Sequence, residues 1–125
     1  MTPAPTSAPT PASTLSTARA KLIDDLADAL VAVDGRTQAR AFLADLCTPA
    51  EVHTLAERWH VAQLLDAGEL TYREIHEATG VSTTTIVRVA RFLRQEDNEG
   101  YRVLLDRMNG LDRTNELDAR KGAGA

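Results

Sequence analysis

Residues 71–94, TYREIHEATGVSTTTIVRVARFLR, read as two short helices joined by a glycine turn. Thr71 and Glu74 stand three apart ahead of Ile75, the capping-box spacing in which each side chain satisfies an orphan amide of the first turn. Gly80 supplies the positive φ that a tight break between helices requires. Ser82 restarts the chain as an N-cap, and Ile86, Val89, Ala90 and Leu93 then repeat at helical spacing. Ile75, Ala78 and Val81 are expected to face Ile86 and Val89 across the turn. The opposite face of the second helix carries Thr83, Thr84, Thr85, Val87, Arg88 and Arg91. That face is short-chained and polar at its start, basic further on, and free of the Glu/Lys pairs of an ordinary bundle helix. Such a surface suits the major groove of double-stranded DNA, with arginines on phosphates or guanine edges.

Working outward, the rest of the chain also reads as helix, because no segment has the period-two alternation of a strand. Ser16 or Thr17 caps a first helix to about Val33, with Leu22, Ile23, Leu26, Ala27, Leu30, Val31 and Val33 spread over more than half its circumference. Asp34 and Gly35 end it, and Thr37 to Leu46 forms a second helix with Ala39, Phe42, Leu43 and Leu46 on one stripe. Thr48-Pro49-Ala50-Glu51 combines a threonine cap, proline at the first helical position and a box-closing glutamate, so a third helix starts there and runs to Ala67, where Gly68 stops it. A last helix from about Glu99 to Met108 places Tyr101, Leu104, Leu105 and Met108 on one face.

Residues 2–14, TPAPTSAPTPAST, hold four of the five prolines and nothing larger than threonine, so residues 1–14 are expected to form a disordered tail. Residues 111–125 are expected to be a second one, leaving a single domain over 15–110. An ordered span of roughly 95 residues supports only a marginal core by itself, so a partner chain is expected to complete it. No apolar run approaches the ~20 residues that cross a bilayer, and no basic start precedes an apolar stretch as in a secretory signal. A single cysteine, Cys47, fits a small buried hydrophobe in the reducing cytoplasm.

The net charge of −4 argues against a protein that coats DNA indiscriminately. Its distribution is uneven. Residues 71–95 carry Arg73, Arg88, Arg91 and Arg94 against Glu74 and Glu77, whereas residues 15–57 carry four cations against seven anions. An acidic body with a basic reading head leaves selectivity to a defined site.

The order of motifs over roughly residues 16–108 resembles the Trp repressor family, and within it the Trp repressor-related YerC/YecD group. The matching pieces are LCTPAE (46–51), ERW (57–59), GELTYREI (68–75), TGVSTTTIVR (79–88) and YRVLLDRM (101–108). The resemblance implies an all-α, six-helix intertwined homodimer with one helix-turn-helix per subunit, binding a pseudo-palindromic operator. It places Arg73, Thr83, Thr84, Thr85 and Val87 at family DNA contacts. It also implies an effector pocket, with Arg58 and Arg88 where two arginines sandwich an indole and Thr48 where the ligand's amino group is held. Two residues depart from the tryptophan-binding pattern: Val89 replaces a glycine and Phe92 a serine. Overpacking of that kind typically costs about 1–3 kcal/mol, so tryptophan is not the expected corepressor. The two arginines would then pair with Glu57, with DNA phosphate or with another anionic effector, and the effector itself stays open.

Other readings are bounded by the same residues. His53, Glu57 and His60 share one side of the third helix, but seven residues span about 10.5 Å, too far for both imidazoles to reach one ion, so no metal is expected. Trp59 stands with Val52, Leu55 and Ala62 and is expected in the core. Tyr72 and His76 are placed to reach a phosphate or to stay solvated. No nucleophile elbow or glycine-rich phosphate loop is present, so neither catalytic residues nor cofactors are expected. The function expected is a sequence-specific DNA-binding regulator, a repressor acting as a homodimer. The alternative is a helix-turn-helix adapter that docks on transcription machinery without its own operator.

Overall fold

The computed structural model describes residues 11–94 and 99–110, and within them every element is helical. In chain order these are α1 (Pro11–Ala32), α2 (Gly35–Leu46), α3 (Pro49–Ala67), α4 (Tyr72–Thr79), α5 (Thr83–Arg94) and α6 (100–110). The backbone divides into two compact units, Met1–Thr48 and Pro49–Ala125.

In the first unit α1 begins earlier than the cap at Ser16 or Thr17 predicts. Residues 11–14, expected in a tail, are already helical. Proline is tolerated in a first turn, where its missing N–H has no intrahelical acceptor, and the alanines, serines and threonines behind it do not oppose helix. The expected tails over 1–10 and 111–125 lie outside the described residues. α1 stops at Ala32, and α2 starts at Gly35 (φ +84°) rather than Thr37. The Gln38 side chain accepts the Asp34 amide at 2.8 Å and so closes the new helix start. No residue from 14 to 48 is buried. On α1, Leu22, Ile23, Leu30 and Val31 all stand exposed, Val31 at 86 %.

The second unit holds the core. Val61, Ala62 and Leu65 of α3, Ile75 of α4, Val81 of the turn, Ile86, Val89 and Ala90 of α5 and Leu105 of α6 are buried together. Trp59, Leu64, Leu70, Tyr72, Leu93 and Tyr101 pack around them. Ala78 departs from expectation. It is exposed rather than facing Ile86 and Val89, because the eight-residue α4 commits one inner position, Ile75, to the core.

α6 is tied down by a polar clamp as well as by Leu105. Asp66, near the end of α3, accepts from Arg102 and, at 3.0 Å, from Asn109 Nδ2. Trp59 is half-buried against the core and its ring stacks on Tyr101, with centroids 6.5 Å apart.

Candidate nucleic-acid interface

The helix-turn-helix is assembled by short-range bonds that its sequence encodes. The Thr71 hydroxyl accepts the Glu74 amide at 3.2 Å, and the Glu74 carboxylate accepts the Thr71 amide at 3.0 Å. The Thr71 backbone amide first, and the Thr71 hydroxyl second, hold the Glu74 carboxyl below the usual carboxylate range, against desolvation acting in the other direction. Gly80 caps α4 in the left-handed conformation (φ +75°), and its amide returns to the His76 carbonyl.

Two further side chains brace the turn. Thr79 Oγ1 donates to the Ile75 carbonyl at 2.7 Å and accepts the Val81 amide at 3.1 Å. His76 Nδ1 lies 2.7 Å from the Val81 carbonyl. That role was not evident from sequence, where His76 reads as a residue for phosphate or solvent. Ser82 Oγ accepts the Thr85 amide at 3.2 Å and donates to Thr85 Oγ1 at 3.0 Å, the cap from which α5 starts.

α5 is amphipathic along its length. Ile86, Val89 and Ala90 are buried, while Ser82, Thr83, Thr84, Val87, Arg88 and Arg91 are exposed on the other side. Thr85, half-buried, lies between them. Arg88 stands over the Phe92 ring at 4.7 Å and Arg91 at 5.7 Å. On α4, Arg73 is 88 % exposed with Nε 3.1 Å from Glu77. Arg94 donates to the Tyr72 hydroxyl at 3.3 Å, so Tyr72 joins the two helices instead of standing free.

The expected effector residues are only partly brought together. Arg88 and Phe92 touch, whereas Val89 lies in the core, 1 % exposed. Arg58 is half-buried and its Nε, sealed from solvent, has no hydrogen-bond partner. Glu57 does not pair with either arginine; its carboxylate lies 3.7 Å from His53 Nε2, its neighbour one turn back on α3. Thr48 is exposed at the end of the first unit. Phe92 instead lines an open hollow of about 360 Å³ with Trp59, Glu99, Gly100, Tyr101 and Leu104. A second, of about 340 Å³, is edged by His53, Glu57, His60 and Val81, and no three potential ligands converge on a metal position among the described residues.

Two short helices, an αL glycine between them and a solvent-facing second helix define a helix-turn-helix protein. A family model for the Trp repressor protein matches residues 21–109. The chain belongs to the Trp repressor family. It is 39% identical over 90 residues to the uncharacterised protein YerC of Bacillus subtilis (strain 168), covering 72% of this chain and 85% of that one. Among solved structures it is similar to a Trp repressor candidate from Staphylococcus aureus, with a TM-score of 0.65, 38% identity and coverage of 71% and 87% of the two chains. It is likewise similar to a TrpR-like protein from Eubacterium eligens ATCC 27750, with a TM-score of 0.66, 35% identity and coverage of 71% and 90%. No helix among the described residues is long and apolar enough to cross a membrane.

Proposed function

We propose that this protein is a sequence-specific, double-stranded DNA-binding transcriptional regulator that represses as a homodimer and does not respond to tryptophan. The observation that carries the reading is the exposed face of α5, where Thr83, Thr84, Val87, Arg88 and Arg91 project from a turn held by side-chain bonds. Arg73, exposed at the start of α4, supplies a phosphate contact beside it. The family supports a DNA-binding regulator, and with this reading goes a cytoplasmic, nucleoid-associated protein.

Dimerisation is supported by α1. Leu22, Ile23, Leu30 and Val31 lie exposed along one helix, and exposed apolar residues grouped in this way mark an interaction surface. Two reading heads related by a two-fold axis engage a pseudo-palindrome with half-sites ~34–36 Å apart, the spacing of helix-turn-helix dimers including the Trp repressor itself and not a value derived from this chain.

Selection of bound fragments from genomic DNA tests the reading, followed by affinity measurements from 50 to 200 mM salt. A DNA reader weakens steeply over that range, and Arg73→Ala flattens the slope by about one phosphate. Thr84→Ala relaxes sequence choice at a cost of about 1–3 kcal/mol on the preferred site. Absence of any enriched sequence, with no binding to random duplex, returns the protein to the adapter reading.

A further inference from the structure

We infer that the half-site is read chiefly through methyl contacts, with Val87 seated on the 5-methyl group of a thymine and Thr83 and Thr84 beside it on an A·T-bearing step. This rests on the DNA-binding reading above and names the base class that the exposed face of α5 takes.

Val87 is 49 % exposed, an isopropyl group left in water on an otherwise polar face. Thr83 and Thr84 lie one turn before it, Arg88 and Arg91 beside and one turn after. The apolar feature offered by base edges in the major groove is the thymine methyl, and short side chains with methyl groups are its usual partners. The side chains that read guanine or adenine bidentately are Arg, Lys, Asn and Gln, and none occurs from 82 to 87.

The remaining residues of the face are otherwise engaged. Arg88 and Arg91 both hold their guanidinium groups over the Phe92 ring, at 4.7 and 5.7 Å from its centroid. That placement leaves them to phosphates, which position the protein without carrying sequence information. Thr85 is half-buried with its oxygen in the Ser82 cap, and Ile86 is in the core. Thr83, Thr84 and Val87 therefore form the surface open to bases. The two hydroxyls can donate to adenine N7 or thymine O4, and three side chains present methyl carbon.

The test uses the full-length protein and the tightest duplex selected from a random library. Each thymine is replaced singly by deoxyuridine, which deletes only the methyl group. At one or two positions per half-site, affinity falls roughly threefold to tenfold, the worth of one or two buried methyl carbons. At one of these the loss disappears in Val87→Ala and persists in Val87→Thr, which keeps a methyl. Placing 5-methylcytosine opposite guanine there recovers part of the affinity relative to unmethylated cytosine. Unchanged thermal unfolding of both variants separates contact loss from misfolding. Selective DNA binding in which deoxyuridine has no effect, or the same effect in Val87→Ala, overturns the inference and leaves the DNA-binding reading intact. Failure to select any duplex overturns both.

Discussion

The guanidinium of Arg88 stands 4.7 Å from the centroid of the Phe92 ring, one turn further along α5. An arginine that helped to sandwich an indole would need its planar face open to the ligand. Here the Arg88 guanidinium already lies against an aromatic ring from within the same helix. Calorimetric titration with L-tryptophan is therefore expected to give no heat at millimolar ligand, and operator affinity is expected to be unchanged by it. Phe92→Ser removes the ring and frees Arg88; because Phe92 is only half-buried, it should cost less than the roughly 3–5 kcal/mol of a fully buried aromatic. Micromolar tryptophan binding by the unaltered protein, coupled to tighter DNA binding, would refute this.

Leu26 and Leu30 are exposed in the isolated protomer, Leu30 at 53 %. A charge at either position costs a lone chain little, so any large effect reports on what covers α1 in solution. Leu26→Asp and Leu30→Asp are expected to abolish the dimer and to lower the unfolding temperature, whereas the unfolding temperature of the unaltered protein should rise with its concentration. Light scattering that finds the unaltered protein monomeric at micromolar concentration counts directly against the dimer.

Gly80 adopts φ +75°, and a Cβ built there meets no atom within 4 Å. Gly80→Ala therefore has room for its methyl group and is penalised only through the backbone, by about 1–2 kcal/mol. Denaturant unfolding should show that shift in midpoint with an unchanged slope. A larger loss would mean that the turn cannot hold αL without glycine and that α5 has been re-aimed.

Glu74 gives the capping box a pH dependence whose sign follows from its lowered pKa. The carboxylate binds its proton less readily folded than unfolded. Its contribution is therefore fully present above the ordinary glutamate range and is lost as pH falls through the lowered folded value. Glu74→Gln should flatten this acid limb of the stability curve, and Thr71→Ala should flatten it in part, because it removes the hydroxyl and leaves the Thr71 backbone amide in place. An unaltered acid limb in both variants would show that the box contributes nothing measurable.

Much of the helix-turn-helix is legible because its signals are local. The Thr71–Glu74 box, Gly80, the Ser82 cap and the Pro49 start each depend on residues within a turn of one another. The contacts that sequence does not reveal join distant positions or depend on rotamers. Asp66 meets Arg102 and Asn109 across 36 and 43 residues, and Arg94 meets Tyr72 across 22. Trp59 and Tyr101 read separately as apolar residues, and their stacking exists only once α6 is docked. The departure of Phe92 from the family pattern is legible, but not that Arg88 lies on its ring. α1 begins before its expected cap because proline and threonine, read as tail composition, are compatible with a first turn.

The His76–Val81 contact makes this turn a joint closed by a side chain as well as by the backbone. A carbonyl oxygen only accepts, so Nδ1 of the imidazole is the donor to Val81. The bond runs from the scaffold helix to the residue just before the Ser82 cap, so it spans the glycine turn and helps to set where α5 begins. The aim of the reading head is thus held from the helix before it, through one ring nitrogen.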